Sequence, residues 1–277
     1  KDGEPIQHVL AHCEADFVYE EDTIHTKEEL LSRFVKPFHL ESGSLIRVKL
    51  VKCQSHYLLM FDMHHIISDG MSCSIFIKEF MALYNHKTLD TELRQYKDYS
   101  EWMANRDLSE QKNYWLDMYK EKPPVLEMPL DYPRQNERSY HGAMVHAASG
   151  EKLYQAVKTY GKKTGTTDYM ILLSGVMALL AMYSGQEDIV VGTPVSGRTH
   201  PDTEQMLGMF VNTLALRGKP AREKSFESFL MEMKETCLKA FANQEYPFEE
   251  LISHIEVNDD MSRNPLFDVM FVLQNTE

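Results

Sequence analysis

Met63-His64-His65-Ile66-Ile67-Ser68-Asp69-Gly70 is the stretch that decides how this chain folds. Before it, Tyr57-Leu58-Leu59-Met60-Phe61 is a continuous apolar run of the kind a buried strand needs. After Gly70 the apolar period becomes helical, with Ile75, Phe76, Phe80, Leu83 and Tyr84 on one side and Ser72 at a capping position. A strand thus hands two imidazoles into a turn that leads to a helix. Neighbouring side chains on a strand point to opposite faces. His64 and His65 are therefore expected to diverge, one for chemistry and one structural. An imidazole with an ordinary pKa of about 6.5 suits a general base. Diverging neighbours chelate one ion poorly and the spacing fits no zinc pattern, so no metal site is expected. Asp69 can orient an imidazole, pair with a distant cation, or cap the following helix. Gly70 permits close backbone approach, for the turn itself or for a substrate. The plainer reading of a His-His pair is two satisfied core histidines; the Asp-Gly that follows weighs against it.

Working outward, residues 45–51 and 56–63 read as a hairpin across 52–55. Thr26 with Glu29 forms a capping box ahead of a helix whose Leu30, Leu31, Phe34 and Val35 share a face. Lys1-Asp2-Gly3-Glu4 has the chemistry of a hairpin turn, with a strand expected at 6–10. Helices are expected at 96–106 and 109–120. Pro123, Pro124, Pro129 and Pro133 then mark a polar linker that ends near Gly142. In the second half, helices are expected at 152–160, at 168–183 with Asp168 as N-cap and Gly185 as stop, and at 225–243. Pro247 suits the first position of a short helix to Ile255. Strands are expected at 189–191, 210–216 and 267–273. The turn without a preceding strand and the strand near the last residue lead us to expect cuts inside a larger domain. The whole reads as mixed α and β in two lobes, 1–125 and 126–277.

Bulk properties exclude several functions. At 277 residues, 43% hydrophobic and 26% charged, the chain can bury a sizeable core. A net charge of −13 offers no basic patch for phosphates, so nucleic acid is not an expected partner. The longest apolar stretch, 169–183, is broken by Ser174 and Gly175; it is too short to span a membrane and reads as a core helix. The four cysteines, Cys13, Cys53, Cys73 and Cys237, are far apart and contain no C-x-x-C. Reduced thiols in a cytoplasmic protein are expected. Cys73 has no His or Asp spacing that marks a nucleophile. The 17 methionines read as core filling, and the acidic clusters Glu20-Glu21-Asp22 and Asp259-Asp260 as solvated.

His-His-x-x-x-Asp-Gly resembles the signature of the condensation domains of nonribosomal peptide synthetases, in the chloramphenicol-acetyltransferase-like superfamily. Further segments resemble that family's motifs in the family's order. They are Tyr96-Lys97-Asp98-Tyr99 with Trp102, and Val191-Gly192-Thr193-Pro194-Val195-Ser196-Gly197-Arg198. Then come Gly208-Met209-Phe210-Val211-Asn212-Thr213, Asn243-Gln244-Glu245-Tyr246-Pro247-Phe248-Glu249, and Ser262-Arg263-Asn264-Pro265-Leu266-Phe267-Asp268-Val269-Met270-Phe271-Val272. The match spans nearly the whole chain. The family's two earliest motifs and its final strands and helix are absent, and Met71 stands where the family often has Trp.

The resemblance implies a two-lobed α/β sandwich with an active-site tunnel between the lobes. It implies peptide-bond formation: the amine of an acceptor aminoacyl group attacks the thioester of a donor aminoacyl or peptidyl group, both carried on phosphopantetheine. Donor and acceptor peptidyl carrier domains and an adjacent adenylation domain are the implied partners. No metal and no bound cofactor are implied. By the same carry-over His65 is the catalytic group, as base or as the group that positions the amine. His64 supports it, and backbone near Gly70 can stabilise the tetrahedral intermediate. Asp69 is expected to be structural and to pair with Arg198, which has no local acid partner. Asn212 is either a tunnel-lining polar group or a strand-end hydrogen-bonding residue. Tyr99 and Trp102 are expected to pack, while Arg134 and Arg138 could touch a carrier domain. Cyclising relatives replace the two histidines by aspartates, and acyl-CoA-dependent relatives carry Asp-Phe-Gly-Trp-Gly, which this chain lacks. The remaining alternatives are an inactive, scaffold or carrier-docking fragment and an epimerisation-type relative.

Overall fold

Three strands make the first sheet of the computed structural model: β1 (Asp16–Glu21), β2 (Ile46–Lys52) and β3 (Tyr57–Met63). The structure describes residues 6–10, 12–13, 15–41, 44–89, 94–136, 139, 141–257 and 260–274. The hairpin turn expected at Lys1–Glu4, Arg138 and Asp259 lie outside the described residues. β2 and β3 form the expected hairpin, with Val48 opposite Phe61 and Val51 opposite Leu58. β1 lies parallel to β2 on its other edge. Strand periodicity separates two faces. On one, Val51 and Met60 are buried with Leu30 and Phe34 of α1 (Lys27–Phe34). On the other, Phe61 meets Phe76 of α2 (Gly70–Tyr84), ring centroids 4.9 Å apart. The Thr26–Glu29 capping box opens α1 as expected. Only Leu30 and Phe34, four residues apart, are buried; Leu31 and Val35 are exposed.

Two expectations for this region are corrected. Residues 6–10 are irregular and exposed rather than a strand. The strand lies later, at β1, where Glu20 and Glu21 masked it. Those carboxylates are not simply solvated, because they meet the lysines of β2: Glu20–Lys49 at 2.7 Å and Glu21–Lys52 at 3.0 Å.

The described chain divides into two units. The first takes Lys1–Arg106 together with Arg198–Phe210, and includes α3 (Tyr96–Ala104); the second takes Asp107–Gly197 and Val211–Glu277. A boundary at 125/126 is therefore not what the contacts give. The physical reason lies in α4 (Ser109–Met118), whose Trp115 is 1% exposed inside the second unit's core and donates Nε1–H to Asn243 O at 2.9 Å.

The second unit is built from α4, α5 (Glu151–Thr164), α6 (Asp168–Ser184), β4 (Ile189–Val195), β5 (Asn212–Gly218), α7 (Phe226–Ala242) and α8 (Phe248–His254). Ile189, Val190 and Val191 are all buried, which is why β4 reads as an unbroken apolar run rather than an alternating one. β5 pairs antiparallel with it, Val191 opposite Leu216. Leu173, Met177, Leu230 and Met233 of α6 and α7 complete this core. α6 is capped by the Thr167 side chain, one residue before the expected Asp168, and ends as expected at Gly185 in the left-handed region (φ 73°). No strand forms at 267–273; one parallel bridge joins Gly192 to Met270, with Gly192 N–H donating to Val269 O at 2.9 Å. Among the described residues, no single helix is long and apolar enough to cross a membrane.

Candidate active site

β3 ends at Met63, so both histidines lie beyond the strand. Strand alternation is therefore not what separates them. His64 N–H makes one last sheet-like bond to Leu45 O at 3.0 Å. The His64 ring then folds back over a single 3₁₀ turn, His65–Ile67, and its Nδ1 accepts Ile66 N–H at 3.0 Å. Ser68 Oγ donates to His64 O at 3.2 Å and closes the turn from the other side. The half-buried His64 ring packs edge-on against Phe38, centroids 5.8 Å apart. The His65 side chain, by contrast, is exposed, and among the described residues its ring has no hydrogen-bond partner.

Asp69 follows this turn and is 3% exposed. It caps α2 through Ser72, taking the role that Ser72 was expected to play. Its Oδ1 accepts Ser72 N–H at 2.7 Å and lies 2.8 Å from Ser72 Oγ. Arg198 Nη2–H reaches Oδ1 at 2.9 Å and Oδ2 at 3.1 Å, so the ion pair expected from the sequence is present and fully buried. Phe210 N–H donates to Oδ2 at 3.3 Å. Burial alone would push the Asp69 carboxyl up. The Ser72 backbone and hydroxyl donors and the Arg198 guanidinium outweigh it and hold the carboxyl below its usual range.

Arg198 also organises its own segment. Nη1 donates to the carbonyls of Thr203 and Met206, and the guanidinium lies over the Phe210 ring at 4.1 Å. A planar five-donor fork can serve a carboxylate and two carbonyls at once, which a lysine cannot. The residues that sequence reasoning missed are those that join this segment to the turn. Ser72 Oγ, with no exposed surface, accepts Gly208 N–H at 3.0 Å and sits 2.9 Å from Gly208 O. Tyr96 donates its hydroxyl to Met209 O at 2.9 Å, and its ring presses so closely that a Cβ on Gly208 would lie 2.1 Å from it. The only sequence signal for these contacts was the Asp-x-x-Ser spacing and a lone glycine in a recognised motif. Tyr99 and Trp102 do pack: Tyr99 lies 4.8 Å from the Phe210 ring and 5.9 Å from Trp102.

Asn212, in the second unit, spends its polar atoms on backbone. Nδ2 donates to Gln244 O at 2.7 Å and Tyr246 O at 2.8 Å, and Oδ1 accepts Thr213 N–H at 2.8 Å and Phe248 N–H at 3.2 Å. Of its two expected roles, the strand-end one is the geometry observed. A Cβ on Gly70 would meet nothing within 4 Å, so the turn does not require a glycine there. Cys73 is half-buried, while Cys237 is buried and its thiol is pushed up to about 12 by that burial. Arg134 is paired with Asp268 at 3.4 Å. Among the described residues no three His, Cys, Asp or Glu side chains converge as a metal site.

Comparison with known proteins gives a consistent outcome. The family model for the condensation domain matches residues 1–277. The chain is 46% identical over 281 residues to bacitracin synthase 1 of Bacillus licheniformis, covering 100% of this chain and 5% of that protein. It is 45% identical over 280 residues to gramicidin S synthase 2 of Brevibacillus brevis, covering 99% of this chain and 6% of that protein. It thus spans a small fraction of the length of the curated relatives it matches. Among solved structures, a four-domain nonribosomal peptide synthetase crystallised with AMP and glycine superposes with a TM-score of 0.79 at 23% identity, covering 94% of this chain and 20% of that one.

Proposed function

The chain belongs to the condensation-domain family, and on that premise we propose that it forms a peptide bond between a carrier-bound acceptor aminoacyl group and a carrier-bound donor aminoacyl or peptidyl group. The amine nitrogen of the acceptor attacks the carbonyl carbon of the donor thioester. The C–N bond forms, the C–S bond breaks, and the donor's phosphopantetheine leaves as a thiol after taking up the proton that the amine loses. His65 is the group proposed to take or orient that proton. The observation that carries this role is the contrast on one turn: an exposed imidazole without a hydrogen-bond partner among the described residues, between a His64 whose ring caps the turn and a buried, ion-paired Asp69. A positioned base is worth about 10²–10⁴-fold. Tethering both reactants supplies much of the remainder as effective molarity, so a sparse set of side chains suffices.

In this reading the chain works without a metal or a bound cofactor of its own, in the cytoplasm. Its substrates arrive on donor and acceptor peptidyl carrier domains, one of them loaded by an adenylation domain of the same assembly. Arg198 and Asp69 keep the turn rigid, and Asn212 braces the start of β5. Dipeptide formation from two loaded carrier domains, measured for the full-length protein and for its His65→Ala variant, tests the proposal. Loss of about 10²–10⁴-fold with carrier binding retained is the expected result. Undiminished product from His65→Ala would overturn the assignment, and carrier binding without product from either protein would favour a docking role.

A further inference from the structure

The geometry points to His64 as a positioning residue that acts through one atom, Nδ1, held unprotonated so that it caps the turn carrying His65; the catalytic half of this inference rests on the proposed role of His65. Three observations carry it. First, Nδ1 lies 3.0 Å from Ile66 N, and a backbone N–H can only donate. Nδ1 must therefore be the acceptor, which places the neutral ring's proton on Nε2. Second, the turn is only His65–Ile67 long, and this bond is the one that engages the N–H of the residue directly after His65, beside the Ile67 N–H to His64 O bond of the turn itself. Third, the ring cannot swing away freely. Phe38 packs against its edge at 5.8 Å, and Phe38 is itself covered by the Arg47 guanidinium at 3.7 Å. Arg47 in turn stands opposite Asp62 across the β2–β3 pair, Nε to Oδ2 3.6 Å. A chain of packed groups thus runs from the sheet to the His64 ring, and from Nδ1 to the His65 turn.

A caps-only role has a consequence that distinguishes it from chemistry at Nε2. Asparagine places its Oδ1 close to where Nδ1 of histidine sits, so His64→Asn preserves the acceptor and loses only the far side of the ring. Glutamine carries its oxygen one bond further out, where Nε2 rather than Nδ1 of histidine sits. The test compares His64→Asn, His64→Gln and His64→Ala for dipeptide formation, with kcat and KM separated. Alongside, nitrogen NMR of histidine-labelled protein locates the proton on the His64 ring, with His64→Asn identifying its signals. We expect His64 as the Nε2–H tautomer and His64→Asn within about threefold of the parent. His64→Gln and His64→Ala should each lose about tenfold in kcat, the scale of one uncompensated hydrogen bond, with KM unchanged. A proton on Nδ1, or His64→Asn as impaired as His64→Ala, would overturn the inference. The tautomer is read without any condensation assay. A correct tautomer in a protein that makes no dipeptide would leave the cap standing and sink the functional reading alone.

Discussion

Arg198→Ala and Asp69→Asn, made singly and together, probe the buried pair on which the turn depends. Arg198→Ala removes both contacts from Nη2 to the Asp69 carboxylate and strands the carbonyls of Thr203 and Met206. Breaking a buried pair from one side costs about 3–5 kcal/mol. Asp69 keeps the Ser72 and Phe210 donors, so the lower end, about 3 kcal/mol, is expected. Asp69→Asn keeps the shape but replaces an acceptor oxygen by an N–H that faces other donors, at about 2–3 kcal/mol for hydrogen bonds to a charge. The double variant loses the pair only once. Its cost should fall short of the sum by about 2 kcal/mol, within the range for residues in contact. Urea unfolding followed by tryptophan fluorescence measures this: Trp102 lies in the unit that holds the pair and Trp115 in the other. Should Arg198→Ala fail to fold, Arg198→Met closes the same cycle, because it removes the guanidinium from Asp69 while keeping an apolar stem in the buried site. Additivity within about 0.5 kcal/mol would refute the coupling and with it the structural role given to the Asp69–Arg198 pair.

Asp69 also sets a pH dependence. Its carboxyl is lowered in the fold, so the stabilisation is complete above the ordinary aspartate value of 3.8 and is lost as pH falls through the depressed folded value. Melting temperature against pH should therefore fall more steeply on the acid limb for the parent than for Asp69→Asn, and parallel limbs would contradict this. Gly208→Ala should cost about 1–3 kcal/mol through overpacking, because the added methyl meets the Tyr96 ring at 2.1 Å and that ring is fixed by its bond to Met209; unchanged unfolding would show that the ring yields. Gly70→Ala should be neutral or stabilising by up to about 1 kcal/mol in the same assay, since its methyl meets nothing within 4 Å. A buried thiol pushed up to about 12 is not a nucleophile near neutral pH, so Cys237 should react with an aromatic disulfide reagent only after unfolding, and early reaction would show that its core opens.

How much of this was legible in the sequence follows from the range of each interaction. Local periodicity exposes elements that bury one face, which is why the β2–β3 hairpin, α1 and the long helices of the second half stand out from residue spacing alone. It fails at β1, where the strand is an edge: Phe17, Val18 and Tyr19 are all exposed, and two glutamates hide the pattern until Lys49 and Lys52 are placed beside them. Arg198 as the partner of Asp69 was accessible because an arginine without a local acid invites a distant one. Ser72 and Gly208 were not. A serine three residues after an aspartate looks like an ordinary helix start, and nothing local says that its hydroxyl meets a glycine backbone 136 residues away. The same limit applies to the two histidines. Alternation predicted that they diverge, and they do differ in exposure, but the strand stops at Met63 and the cause is the His64 ring turning back onto Ile66 N–H. That difference matters for testing. Divergence by alternation would make the identity of residue 64 nearly irrelevant so long as the strand persists. Divergence by capping makes it depend on a single acceptor atom, which asparagine keeps and glutamine does not.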